Sequence, residues 1–244
     1  MSEEREDSIW ERPEPGARGA GFSRAQLVAT AIAIADREGV KAVSMRRVAA
    51  EVGAGTMTLY HYVRNKDELF ALVEDTIMSE LVIPEGEMPA DWRDAITEIA
   101  TRSRDALIRH PWVFDSPHQA DGGPNGTIHF EQSLRAVSGA GLSRASSLEV
   151  VAMIDDYVFG YAMRANMMSR SVDGNPETLA TEWAEVLEKQ LETLDPEAFP
   201  NIHDLFTEQD AVEVLIELIA VARDDGRFLR GLNLILDGVE RMAD

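Results

Sequence analysis

Apolar residues recur at intervals of three and four along almost the whole chain, and nowhere do they alternate with polar ones for long enough to suggest a strand. The pattern predicts an all-α protein. Ser23-Arg-Ala-Gln26 has the form of a capping box, and Leu27, Ala31 and Ile34 then mark one face of a helix that Gly39 stops. Ser44 caps a second helix, with Val48, Ala49 and Val52 facing inward and Arg46 and Arg47 outward. Gly53 and Gly55 bracket Ala54, and both are expected to supply the positive-φ freedom of a sharp turn. A third helix, about Thr56 to Val63, is too short to be stable alone and must be held by the first two. Asn65-Lys-Asp-Glu68 reads as another capping box, opening a fourth helix that carries Leu69, Leu72, Val73, Ile77 and Leu81 towards Pro84. Helices are expected beyond it at Trp92 to Arg109, Asn125 to Ser138, Ser143 to Ser171, Glu177 to Leu194, Glu208 to Asp224 and Arg227 to Met242. That makes about ten, separated by Pro- and Gly-bearing breaks such as 121–126 and 173–176.

The organisation follows from these elements. Two short helices joined by a glycine turn are the layout of a helix-turn-helix. Residues 1–21, rich in Glu, Arg, Pro and Gly, hold too little apolar surface to repay ordering and are expected to form a disordered arm. The end of that arm is read either as a solvated tail or as a segment that lays Arg18 against phosphates or a minor groove. Residues 22–66 form the helix-turn-helix domain, 67–82 a connecting helix and 83–244 a larger helical domain.

Charge sharpens the picture. The chain carries −21, yet residues 41–66 carry +4, because Lys41, Arg46, Arg47, Arg64 and Lys66 meet only Glu51. A basic patch on an acidic body suits phosphate attraction, since cations displace condensed counterions while the remainder is repelled by DNA. There is no cysteine, which excludes disulfides, thiolate metal sites and cysteine nucleophiles. The greasiest region, Val150 to Met168, is interrupted by Asp155, Asp156, Arg164 and Asn166, so no membrane span is expected and the protein is read as soluble and cytoplasmic. No nucleophile elbow, phosphate-binding loop or metal signature occurs, and the Asp155-Asp156 pair reads as solvated or paired with Arg; the chain is not expected to be an enzyme. His110, His118 and His129 are spaced by eight and eleven residues, which fits no local chelating motif, so neither metal nor cofactor is expected.

The first helix, Ser-Met-Arg-Arg-Val-Ala in the second, and Gly-Thr-Met-Thr-Leu-Tyr-His-Tyr-Val-Arg-Asn-Lys-Asp-Glu-Leu together resemble, over residues 22–82, the DNA-binding domain of the tetracycline-repressor (TetR) family of bacterial regulators. Phe228-Leu-Arg-Gly-Leu-Asn-Leu-Ile-Leu-Asp-Gly-Val-Glu240, with weaker similarity over Trp92 to His110, resembles the ligand-binding core of the tetracycline repressor itself. The resemblance implies an Ω-shaped homodimer on a double-stranded DNA operator. It places Arg46 where a guanidinium reaches a base edge, and Thr56, Met57 and Thr58 on the recognition-helix face that meets bases or phosphates. It places Tyr60, His61 and Tyr62 on groove and backbone contacts, one of the tyrosines serving mainly to pack the domain, and Lys66 on a phosphate. Val82, Ile99 and Ser103 stand where the tetracycline repressor grips drug and magnesium with an imidazole, an amide and an aromatic ring, so the resemblance does not extend to tetracycline as effector.

Two copies are needed because one short helix contacts only a few base pairs; a palindromic operator with half-sites roughly 34–36 Å apart is expected. Apolar stripes through Leu179, Trp183, Val186, Leu187, Leu191 and Leu194, and through Phe228, Leu232, Ile235, Leu236 and Val239, predict a four-helix dimer interface, Gly231 and Gly238 permitting close approach. Trp112, Phe114, His118, His129, Met153, Tyr157, Tyr161 and Asn166 are the candidate lining of a pocket for a small, largely apolar effector. The expected function is a ligand-responsive repressor, released when the connecting helix swings and mis-spaces the two reading heads. An activator, or a regulator controlled by a protein partner, is the alternative; reporter output with and without candidate ligands separates them.

Overall fold

The computed structural model describes residues 8–15, 22–116, 123–171, 176–207 and 210–243. Eleven α-helices and two short 3-10 turns are present among these residues, and no strand. The chain divides into two compact units, one of residues 1–163 with 238–244 and one of residues 164–237.

In the first unit, α1 (Arg24–Glu38) begins at the capping box: the Ser23 hydroxyl accepts from the Gln26 backbone N–H at 3.2 Å, and Gln26 Oε1 accepts from the Ser23 N–H at 2.7 Å. Gly39, at φ +84°, ends it in a conformation that L side chains avoid. After a 3-10 turn over Val40–Ala42, α2 (Met45–Glu51) starts from Ser44, whose hydroxyl accepts from the Arg47 N–H. Only one of the two glycines that follow needs positive φ. Gly53 turns the chain at +71°, while Gly55 lies at −76° as the residue ahead of α3 (Thr56–Leu59).

α3 is half the expected length, because Tyr60–Tyr62 continue as tightened turns and Asn65 must be extended to cap α4 (Lys66–Leu81). The Asn65 side chain accepts from the Glu68 N–H at 2.8 Å. Glu68 does not complete a capping box; its carboxylate accepts instead from the Arg64 N–H at 2.6 Å and from Arg12. Leu27, Ile34, Val48, Leu59, Val63, Leu69 and Phe70 meet in one core with Ile9 and Trp112. That core joins the front half of α4 to the helix-turn-helix, so the connecting helix is continuous with the reading domain.

The presence of Ile9 in this core is a departure from the expected disordered arm. Residues 8–15 form a turn docked on the domain, with Ile9 only 7% exposed and Arg12 ion-paired to Glu68. One apolar residue and one arginine in place supply the ordering energy that composition alone conceals. Arg18 lies outside the described residues.

α5 (Trp92–Arg109) is capped by Asp91 and leads through a 3-10 turn, Pro111–Asp115, towards α6 (Pro124–Ser138). α4, α5 and α6 pack on one another, and Asp75 of α4 accepts from the Asn125 N–H and side-chain amide at the start of α6. α7 (Arg144–Ser171) follows, its residues up to 163 belonging to this unit.

The second unit holds the end of α7, α8 (Pro176–Leu191), α9 (Pro200–Thr207), α10 (Ala211–Arg223) and most of α11 (Gly226–Ala243). α9 was not foreseen from the sequence. α8 and α10 pack through Ala180 and Ala184 against Leu215 and Ile219.

Candidate functional site

The reading head is shaped by the period of α3 and the turn after it. Leu59, Tyr62 and Val63, at i, i+3 and i+4, are all buried, which drives Tyr60 and His61 outward. Met57 is 76% exposed and Tyr60 43%, so both side chains stand on the outer face of the head. Arg46 is exposed on α2 and makes no ion pair among the described residues. Thr56 and Thr58 are half-buried on the flank of α3. Lys66, also half-buried, sits at the first residue of α4 with its Nζ 5.1 Å from the centre of the Phe70 ring. A cation there works against the helix dipole, so an anion outside the head is its natural complement.

Two expected features change. Tyr62 is 3% exposed and packs its ring against Phe22 at 5.0 Å between centroids, so it belongs to the domain core and is not on the reading surface. Arg47 is engaged by Glu38 at 3.0 Å and by Glu51 at 3.5 Å, so only part of the local positive charge is uncompensated.

Behind the head, Asp36 at the end of α1 is a junction. Its Oδ1 accepts from the Trp112 indole N–H at 2.6 Å and lies 2.7 Å from His110 Nδ1. His110 Nε2 faces Glu80 of α4 at 3.3 Å, and Glu80 also pairs with Arg109. His110 is 4% exposed and Trp112 2%, so α1, α4 and the end of α5 are tied by a largely enclosed polar network. This overturns the placing of Trp112 in a ligand pocket, since its ring and its N–H are both committed to the reading domain.

The candidate pocket residues are scattered. Phe114 and Phe159 stack edge to face at 4.7 Å, Tyr157 and Tyr161 lie 6.4 Å apart, and Met153 is 39% exposed. Asn166 is buried in the second unit, and His118 lies outside the described residues. What the first unit does hold is a crevice of about 10 Å³ between α5, α6 and α7, room for no more than a water molecule, lined by Ile96, Ile99, Ser133, Val137, Val151, Ile154 and Asp155. The Asp155 carboxyl is pushed up to about 6, first by desolvation and then by the neighbouring Asp156. Ser133 donates to the His129 carbonyl one turn earlier on α6. Three buried polar atoms in this part of the fold lack a protein partner: Glu74 Oε2 on α4, Ser103 Oγ on α5 and His129 Nδ1 on α6. Burial lowers the His129 imidazole below its ordinary range and raises Glu74, the latter opposed by a hydrogen bond from Ser116. Of these, His129 was singled out as pocket lining from the sequence, and Ser103 falls where the resemblance puts a drug-gripping side chain of the tetracycline repressor; Glu74 and Ser133 have no signature beyond falling on the inner faces of their helices. Among the described residues, no cluster of three or more His, Asp or Glu could hold a metal ion.

In the second unit a groove of about 540 Å³ is lined by Arg164, Met167, Met168, Leu179, Trp183, Leu215, Leu218, Ile219 and Ala222. Trp183, Val186, Leu218 and Val221 of α8 and α10 stand 48–59% exposed. Leu187 and Leu191 are half-buried, with Leu187 turned into the α8–α10 core. On α11 the expected interface residues Phe228 and Leu232 are 0% and 1% exposed, enclosed within the chain, and offer a partner nothing; Gly231 and Ile235 are intermediate.

Residues 27–73 match the model of bacterial regulatory proteins of the tetR family, and residues 85–243 that of the tetracyclin repressor-like C-terminal domain. The chain is 36% identical to the HTH-type transcriptional repressor DrrR1 of Streptomyces coeruleorubidus over 56% of its own length and 51% of that protein's, so the match spans about half of that relative. It is 25% identical to the class E tetracycline repressor protein of Escherichia coli over 64% of this chain and 74% of that one. In structure it is similar to ActR of Streptomyces coelicolor in complex with actinorhodin, with TM-score 0.65, 30% identity, and coverage of 92% of this chain and 99% of that chain. These relatives are transcriptional regulators and not enzymes, and no helix among the described residues is long and apolar enough to cross a membrane. With the reading head over residues 27–73 and the helical core over 85–243 both matched, the chain belongs to the TetR family of DNA-binding transcriptional regulators.

Proposed function

We propose that this regulator is a repressor that binds a palindromic operator as a homodimer and is released by a small, largely apolar effector. The observation that carries the reading is the outward face of α2 and α3, where Arg46, Met57, Tyr60 and His61 stand exposed over a packed base of Leu59 and Val63. Arg46 suits a guanine edge, Thr56 and Thr58 bases or phosphates, and Lys66 a phosphate.

For the effector, the unpartnered atoms of Ser103, His129 and Glu74 support a compact ligand with a mainly apolar body and a few hydrogen-bonding groups, bound among α4–α7; the crevice of about 10 Å³ between α5, α6 and α7 must open to admit it. The capture of actinorhodin by ActR lends the same support from a protein of similar fold. For the dimer, Trp183, Val186, Leu218 and Val221 support a face on α8 and α10. Release follows from coupling: the Asp36–His110–Trp112–Glu80 network ties α1 and α4 to the end of α5, so ligand strain on α5 reaches the reading head. Moving such an equilibrium from 1:99 to 99:1 requires about 5.5 kcal/mol of differential binding.

Selection of duplexes from a random pool with purified protein, followed by a compound screen for release, tests both halves. A palindromic consensus lost on Trp183→Glu, with monomers in sedimentation, is the expected result. Selection of no duplex, or release by no compound together with identical half-site spacing in the free and DNA-bound protein, would overturn it.

A further inference from the structure

We propose that residues 8–15 form a clasp that positions the recognition helix for DNA, with Arg12 as its positioning residue. The clasp lies ahead of residue 27, where the match to the family's reading domain begins. The inference rests on the DNA-binding role of the head but not on the operator's symmetry or on the effector.

The turn is built from both ends. The Glu11 and Arg12 N–H groups donate to the Ser8 carbonyl at 3.0 and 3.1 Å, which points Ile9 into the core of the head and Arg12 towards α4. Arg12 grips Glu68 with its two terminal nitrogens, Nη1 donating to Oε1 at 3.0 Å and Nη2 to Oε2 at 2.5 Å, and Nη2 also reaches the Tyr62 carbonyl at 3.5 Å. Arg24 closes the other side: Nε donates to the Tyr62 carbonyl at 3.0 Å, Nη1 to the Arg12 carbonyl at 2.7 Å and Nη2 to the Pro13 carbonyl at 3.2 Å. Glu68 in turn holds the Arg64 N–H at 2.6 Å. The Tyr62 carbonyl and the Arg64 N–H flank Val63, so the clasp fixes the main chain on both sides of the residue where the reading segment leaves for α4.

That segment needs an external brace. α3 has four residues, too few to keep its own shape, and Tyr60 and His61 sit in the turn between it and the clasped atoms. Arg12 and Glu68 are each 17% exposed at the side chain, so their bidentate pair is sheltered from competition by water and salt. Burial by itself would raise the Glu68 carboxyl, but the Arg12 guanidinium and the Arg64 N–H outweigh it and hold it low, so the pair stays ionised at neutral pH.

The test uses full-length protein and a duplex that the wild type has been shown to bind. Arg12→Ala is expected to weaken binding about tenfold. The slope of log affinity against log salt should stay unchanged, whereas loss of a phosphate contact would lower it by about 0.9. Arg12→Lys, which keeps the charge but loses the fork, should restore only part of the affinity, and should serve alone if Arg12→Ala fails to fold. Without DNA, amide exchange at residues 60–65 should quicken in either variant. Wild-type affinity and exchange in the variants would overturn the clasp, as would a salt slope reduced by one contact, which would make Arg12 a direct phosphate ligand. A wild type that prefers no duplex refutes the operator reading instead, and the exchange measurement still decides the clasp.

Discussion

Replacing Trp112 by Phe isolates the link between the reading head and the core. The change removes the indole N–H that donates to Asp36 at 2.6 Å while keeping an aromatic ring at a position only 2% exposed. A hydrogen bond to a charged acceptor contributes about 1.5–3 kcal/mol. The Asp36 side chain is 35% exposed and keeps His110 at 2.7 Å, so the lower end of that range applies, about 1.5–2 kcal/mol. The lost ring atoms add a cavity cost on the order of 1 kcal/mol. The sum, roughly 2–3 kcal/mol, corresponds to a fall in Tm of about 5–10 °C for a chain of this size. Circular dichroism on thermal unfolding measures it, and a double-mutant cycle with Asp36→Ala assigns it: the coupling should be about 1–2 kcal/mol. If the Trp112 and Asp36 substitutions add to within about 0.5 kcal/mol, the network does not couple α1 to the core and the proposed route of release loses its basis.

Three further outcomes follow from the geometry. Arg46→Ala should cost about 1–3 kcal/mol of operator affinity and relax preference at one base position, while Arg47→Ala, already paired with Glu38 and Glu51, should cost under about 0.5 kcal/mol; equal losses in anisotropy titrations would contradict the assignment. Gly53→Ala, at φ +71°, should lose about 1 kcal/mol in urea unfolding, whereas Gly55→Ala should be nearly neutral, because its Cβ would meet nothing closer than Thr58 Oγ1 at 3.8 Å. Asp155 binds its proton more tightly when folded, with a pKa raised from 3.8 to about 6, so its contribution favours the folded state at low pH and is lost as pH rises through that window. Asp155→Asn should flatten this part of the stability profile and stabilise the protein above pH 6 by no more than about 1 kcal/mol, the residue being exposed to solvent that screens its charge; an unchanged profile would show the carboxyl to be ordinary.

How much of this was legible in the chain depends on the range of the interaction. Ser23, Ser44 and Asn65 each cap the helix their position announces, because capping is settled within three residues. The inward turn of Tyr62 was also available, since it shares the i, i+3, i+4 face of Leu59 and Val63; family position pointed it to DNA, and periodicity pointed it to the core. Phe228 and Leu232 show the limit of the same rule. A stripe at helical spacing says that a face is buried, not whether by the same chain or by a second one, and here the same chain covers it.

By itself, the sequence determined the all-α class, the three-helix head and its basic patch, because each rests on periodicity, caps and charge within a few dozen residues, and its motifs carried the resemblance to the family. Only the tertiary structure decided that Ile9 and Arg12 belong to the head, that Arg47 is neutralised by Glu38 and Glu51, that Trp112 bonds Asp36 and that Ser103 and His129 are left without partners. The reason is physical: a hydrogen bond or ion pair across 56 or 76 residues of chain depends on where the packed helices bring two side chains, and no local pattern carries that information.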